Sequence, residues 1–216
     1  MKPNAFTFAV VADQINSRAD DDLVPAALAH LEQVPTVLPF ERTAGDEIQG
    51  LLDSPDALVA AILTLTRISG WRVGVGLGLV DQPLPNSTRA ARGPAYLAAR
   101  AAITAARKQP TSFALRVAET VGGDRYGDSV AAGEAAETAV WLWRGVLTRR
   151  TPEGWELMDL LDRGYTKADA ARELGISPSA VSQRLATAAR EEGLRGAALC
   201  QRLFIECLTI AEGESA

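Results

Sequence analysis

The sequence contains few residues of the types that usually form reactive centres. Its 216 residues include two cysteines and one histidine. Cys200 and Cys207 are seven positions apart, so on a helix they share a face but lie too far apart along the axis for a disulfide. We interpret both as small buried apolar residues. His30 lies in an Ala/Leu-rich helical pattern without a metal-ligand partner, and we assign it no function.

The chain also lacks an excess of positive charge and a long apolar run. Its net charge is -5 and its pI is about 5.0, so no basic field over the whole molecule favours nucleic acid. No run of 18 apolar residues predicts a transmembrane helix. The N-terminal stretch has no small-residue cleavage site. We therefore predict a cytoplasmic protein that does not enter a membrane.

What the first 118 residues do contain is an ordered series of strand and helix patterns. The order is β-α-β-β-α-β-α-β, starting with a buried strand over residues 6–13 that ends on Asp13. Ser54 and Pro55 predict the start of a helix. Glycines in the strand pattern at 71–80 indicate that another element packs closely there. We predict an α/β (α+β) class with a ferredoxin-like sheet and helices on one face.

The tip of the central hairpin, residues 44–49, carries adjacent carboxylates after a glycine. It is either a solvated turn or a site for a metal and a phosphate. In the predicted topology Asp13 faces Asp46, and two such carboxylates can hold Mg²⁺. Gly45 leaves room for a phosphate near the backbone, and Arg18 in the loop after the first strand can bind phosphate oxygens.

The rest of the chain predicts a helical region. Residues 119–150 predict a connector helix, and residues 151–216 predict a helix-turn-helix domain with a C-terminal helix. Thr166 caps one helix, Gly175 makes a tight turn, and Ser177 caps the next helix. The final helix carries an apolar stripe that either joins the core or covers a partner chain.

The second helix of a helix-turn-helix enters the major groove of double-stranded DNA with its early residues on base edges. The polar residues at these positions are Ser179, Ser182, Gln183, Arg184 and Thr187. Lys167 and Arg172 are placed to contact phosphates. From 151 to 196 there are six Lys/Arg and eight Asp/Glu, so we expect a homodimer to be needed for tight binding. The alternative is a degenerate motif that serves packing or dimerisation.

Several of these stretches resemble a known family. Residues 41–50 resemble the hairpin of class III nucleotide cyclases, and residues 44–48 within them resemble the hairpin of diguanylate cyclases. Residues 93–100 resemble the cyclase helix that carries a catalytic Asn and Arg. Over nearly the whole chain, including the domain order, the sequence is similar to the SatD family, which pairs such a domain with a C-terminal helix-turn-helix.

The resemblance implies roles for individual residues. Asp13 and Asp46 match the acids that hold the metal, and Glu47 matches the acid of the diguanylate-cyclase hairpin. Arg42 stands where many cyclases have a base-reading lysine, and Arg100 matches the transition-state arginine. Tyr96 occupies the position of the catalytic Asn, and a phenol cannot supply the donor–acceptor pair of an amide. The departure disfavours cyclase turnover.

Together these observations predict a DNA-binding transcriptional regulator whose cyclase-like domain senses a nucleotide, with Mg²⁺ as a candidate cofactor. The alternative is a nucleotidyl cyclase with an attached helix-turn-helix. A third hypothesis is a scaffold in which both sites are inactive.

Overall fold

The computed structural model describes residues 5–17, 21–121 and 125–213. A five-stranded sheet forms the centre of the first region. Its strands are β1 (Thr7–Gln14), β2 (Leu38–Arg42), β3 (Glu47–Leu52), β4 (Trp71–Gly78) and β5 (Phe113–Val117). The spatial order is β2-β3-β1-β4-β5. All pairs are antiparallel except the parallel pair β4–β5.

The helices connect these strands and then form the C-terminal region. They are α1 (Val24–Leu31), α2 (Pro55–Arg67), α3 (Pro94–Ala106), α4 (Tyr126–Leu147), α5 (Pro152–Asp162), α6 (Lys167–Glu173), α7 (Pro178–Thr187) and α8 (Arg190–Ala211). The predicted order of strands and helices over the first region is confirmed, as is the mixed α/β class. Among the described residues, no helix has the length and apolar character needed to span a membrane.

Helices cover both faces of the sheet, so the prediction of a single helical face is wrong. Phe8 and Val10 of β1 point into a core with residues of α2, α4 and α8. Ala9 and Val11, on the opposite face, pack against α3. The reason lies in β4, where Gly74 and Gly76 leave no side chain between strand and helix and let the α3 backbone approach closely.

Helices α4 and α8 belong to the packing of the sheet. Cys200, Phe204 and Cys207 of α8 are buried in the same core as Phe8, and the Phe8 and Phe204 rings meet edge to face at 5.8 Å. The stripe that these three residues form is therefore covered by its own chain, whereas Leu199 and Ile205 of the same helix are exposed. Although α8 lies within the range 151–216, its buried side chains contact the first region.

Three helices, α5, α6 and α7, form a separate small core with Leu157, Val181 and Leu185 at its centre. The predicted caps are present. The Thr166 hydroxyl accepts a hydrogen bond from the Asp169 N–H, and the Asp169 carboxylate accepts one from the Thr166 N–H. Ser177 caps α7. Gly175 has φ +62°, a backbone conformation that favours glycine.

Candidate functional site

The predicted metal acids lie at one end of the sheet. Asp13 pairs with Glu47 across β1 and β3, and the Gln14 N–H donates to the Asp46 carbonyl at 3.2 Å. Asp13 and Asp46 line one depression of about 580 Å³ together with Arg72 and Arg107. The sequence prediction that the first strand and the hairpin tip are neighbours is thus confirmed.

The surroundings of Asp13 favour arginine over a metal. Arg72 Nη1 donates to Asp13 Oδ1 at 2.7 Å, and an Arg107 nitrogen lies 3.8 Å from Asp13 Oδ2. Burial raises the pKa of the Asp13 carboxyl above its usual value, and the opposing effect of Arg72 is smaller. The described residues contain no group of three or more His, Cys, Asp or Glu arranged around a common point. The arrangement does not fit a Mg²⁺ site well, and the Mg²⁺ assignment stays a prediction.

The structure does not bring the other residues predicted near the hairpin tip into the depression that Asp13 and Asp46 line. Arg42 pairs with Asp22, and Gly45 has φ +59° with open space around it. The Glu47 carboxylate accepts a hydrogen bond from the Thr43 hydroxyl and lines a different groove. Arg18 lies outside the described residues.

This second groove, of about 710 Å³, lies beside the N-terminal half of α3. It brings together Glu47, Tyr96 and Arg100, which the sequence singled out. It also contains Arg89 and Arg92, which sequence reasoning missed. Their signal was the closely spaced arginine pair just before the helix, but only the folded loop brings that pair to the groove.

Hydrogen bonds to a short 3₁₀ turn, Thr88–Ala90, fix the floor of the groove. The Gln49 amide donates to the Thr88 carbonyl at 2.9 Å, and the Thr88 and Tyr96 hydroxyls are 3.2 Å apart. Burial raises the pKa of Tyr96, so its phenol stays neutral. Tyr96 is therefore a buried support of the groove rather than a side chain that projects into it.

Three arginines and two carboxylates, those of Glu47 and Asp81, line this groove, so its lining carries one more positive than negative charge. Arg89, Arg92 and Arg100 are exposed, and among the described residues none of them has a carboxylate partner within 4.0 Å. A guanidinium without a partner can bind phosphate oxygens with two parallel hydrogen bonds. Leu97, 71% exposed, adds an apolar surface to the same groove.

The predicted DNA-contact residues lie on α7, whose inner face is buried by Val181 and Leu185. Ser179, Ser182, Gln183 and Thr187 are all exposed. At 100° per residue, Gln183 lies almost opposite the buried face and so occupies the middle of the outer face. This outer surface of the helix is polar and carries no charge.

The predicted basic contacts differ in their surroundings. Arg184 is half-buried on the flank of α7. Together with Gln183 and Thr187 it lines a shallow groove next to Thr151 and Gly154 at the start of α5. Lys167, at the first position of α6, is exposed. Arg172 pairs with Asp169 three residues earlier. Because Arg172 is already paired, Lys167 is better placed than Arg172 for contact with a DNA phosphate.

Comparisons with known proteins add little to this geometry. No protein-family model matches the chain, and no curated protein is significantly similar to it. A solved structure that matches it is the regulator of polyketide synthase expression from Bifidobacterium adolescentis. That match has 15% identity and a TM-score of 0.27 over 99% of this chain and 82% of that chain. At this identity and TM-score it carries no argument about function, and the SatD resemblance stays a prediction.

Proposed function

We propose that this protein is a DNA-binding transcriptional regulator. Its first region, which contains the five-stranded sheet and is called the sheet region below, binds a nucleotide. The observation that carries the proposal is the outer face of α7, which presents uncharged polar side chains at the second helix of a capped helix-turn-helix unit. Such a helix fits the major groove of B-DNA, and amides and hydroxyls there can hydrogen-bond to base edges. Gln183 at the centre of this face pairs best with adenine.

The low positive charge of this region suggests how the protein binds DNA. Phosphate neutralisation supplies much of DNA affinity, and Arg172 is already paired with Asp169. Two copies on two half-sites double the number of contacts. We therefore expect a homodimer, which light scattering in solution will detect; a monomer that binds DNA tightly contradicts this part of the proposal.

The DNA-binding proposal is tested without knowing the operator. Selection from a random duplex library with the full-length protein should enrich one sequence. Gln183→Ala should then weaken binding to the selected duplex by about 1–3 kcal/mol, the cost of one bidentate base contact. Arg184→Ala should cost less because this side chain is half-buried on the flank.

Gln33→Ala, an exposed glutamine of the sheet region, is the matched control and should bind like wild type. If nothing is enriched, or if Gln183→Ala binds the selected duplex as tightly as the control does, α7 is not the reading helix.

The nucleotide part of the proposal rests on the groove beside α3. Its volume of about 710 Å³ suits a ligand of nucleotide size. Arg89, Arg92 and Arg100 supply guanidinium groups for phosphates, and Leu97 supplies an apolar contact for a base. We therefore expect a ligand that combines at least one phosphate with a group that can lie against Leu97.

Calorimetric titration with mono-, tri-, cyclic and cyclic di-nucleotides, with and without Mg²⁺, will test this binding. Arg100→Gln should weaken binding of the tightest ligand by about 1.5–3 kcal/mol, the contribution of one hydrogen bond to a charged group. The matched control is Arg107→Gln, because Arg107 directly follows α3 but lines the Asp13 depression. A ligand lost in Arg107→Gln and kept in Arg100→Gln would place the site at Asp13 instead.

The enzyme alternative has less support from the geometry. The phenol of Tyr96 is buried against Thr88 at the position where a cyclase needs an amide. We expect weak or no cyclic nucleotide formation from ATP or GTP with Mg²⁺ or Mn²⁺. Robust product formation that disappears in Asp46→Ala would overturn the assignment as a regulator without catalysis.

A further inference from the structure

A cavity of about 300 Å³ lies between the sheet region and the helix-turn-helix unit. Its walls come from α1, α2, α4, α5 and α8 and from the turn between α4 and α5, so an occupant contacts both parts of the chain. Apolar side chains such as Leu63, Ile68 and Met158 form much of its surface. The volume matches the lower end of the range found for small-molecule sites.

Three guanidinium groups line this cavity, and two of them are matched by carboxylates. Arg67 makes two hydrogen bonds of 2.6 Å to Asp159, and an Arg190 nitrogen lies 3.6 Å from Asp162. Arg150 instead donates to backbone carbonyls, and among the described residues no carboxylate lies within 4.0 Å of it. The lining therefore carries one positive charge more than it has negative charges.

Two tryptophans that line the cavity are held in place by neighbouring groups of the protein. The guanidinium carbons of Arg67 and Arg150 lie 5.3 Å and 4.7 Å from the ring centroid of Trp155. Trp143 also lines the cavity and is held by a 2.9 Å hydrogen bond to the Gly193 carbonyl. These contacts hold both indoles in place before any ligand binds.

We propose that this cavity binds a small apolar monoanion, an aromatic or aliphatic carboxylate, whose charge is balanced by Arg150. The apolar body lies against Leu63, Ile68 and Met158, and the carboxylate accepts hydrogen bonds from the guanidinium. The site is separate from the groove beside α3 and does not require that the groove binds a nucleotide. Because Arg150 also bonds the carbonyls of Ala188 and Ala189 after α7, a ligand there competes for the group that holds the end of this helix.

Three probes of one shape test the proposal on the full chain: 4-phenylbutyrate, 4-phenylbutyramide and 4-phenylbutylammonium. Binding is followed by calorimetry and by tryptophan fluorescence, since Trp143 and Trp155 line the cavity. The anion should bind saturably, at least about tenfold more tightly than the neutral amide, because only the anion gains a charged hydrogen bond. The cation should not bind.

Two variants locate the binding. Ala197→Phe fills the cavity without removing a charge and should abolish binding of the anion. Arg150→Met should reduce the preference for anion over amide to near unity. Arg149→Met is its matched control, because the neighbouring Arg149 is exposed and does not line the cavity. Absence of saturable binding of the anion, equal binding of anion and amide, or unchanged binding in Ala197→Phe would each overturn the proposal.

Discussion

Replacing Gly76 with alanine should push α3 away from the sheet. A Cβ on Gly76 would lie 2.1 Å from the Ala95 carbonyl oxygen and 2.2 Å from the Ala99 nitrogen. Ordinary contact begins at about 3.4 Å, so strand and helix must separate by more than an ångström. Both obstacles are backbone atoms, which cannot move aside as a side chain can.

The expected cost of this substitution is at the upper end of the range for overpacking, about 3 kcal/mol. For a chain of this size that corresponds to a fall in Tm of roughly 6–12 °C. Thermal unfolding followed by circular dichroism will measure it. Because α3 carries Tyr96 and Arg100, the same substitution should weaken nucleotide binding in the groove.

The matched control is Gly145→Ala in α4, where the nearest atom to a new Cβ is 4.0 Å away. Alanine is the better helix former there, so this variant should be more stable by about 0.5–1 kcal/mol. If Gly76→Ala unfolds within 1 °C of wild type, α3 does not pack on this face of the sheet.

Three further substitutions or reactions test local parts of the structure. Ser177→Ala removes the cap of α7 and should cost about 1 kcal/mol in urea unfolding. Glu137→Ala leaves the buried Leu115 N–H without its acceptor and should cost about 1–3 kcal/mol by the same assay. Burial raises the pKa of Cys200 and Cys207 to about 12. Neither thiol should therefore react with a disulfide reagent at pH 8 until the protein is unfolded. Rapid reaction of the native protein would contradict their burial.

Local chemistry explains which features the sequence could predict. The caps at Thr166 and Ser177 involve residues three positions apart, so their hydrogen bonds follow from the sequence alone. The proximity of Asp13 to the hairpin tip followed from the predicted arrangement of the strands. The burial of α8 did not follow, because an apolar stripe is the same whether its own chain or a partner covers it.

The groove beside α3 was less predictable because distant segments form it. Arg89 and Arg92 reach it only because the loop before α3 folds back, with the Asp81 N–H donating to the Arg92 carbonyl at 2.9 Å. The ion pair between Arg72 and Asp13 depends on strand register, which places Arg72 directly opposite Asp13. Neither a motif nor a spacing in the sequence specifies that register.

The most direct test of the proposed regulator is the affinity of the selected duplex with and without saturating nucleotide. Fluorescence anisotropy at fixed salt measures both affinities on the same protein. Coupling between two such sites is typically about 1–3 kcal/mol, so the affinity should change by about 5- to 150-fold. By linkage, the duplex must change nucleotide affinity by the same factor. One unchanged duplex affinity across every nucleotide that binds would contradict a nucleotide-responsive regulator.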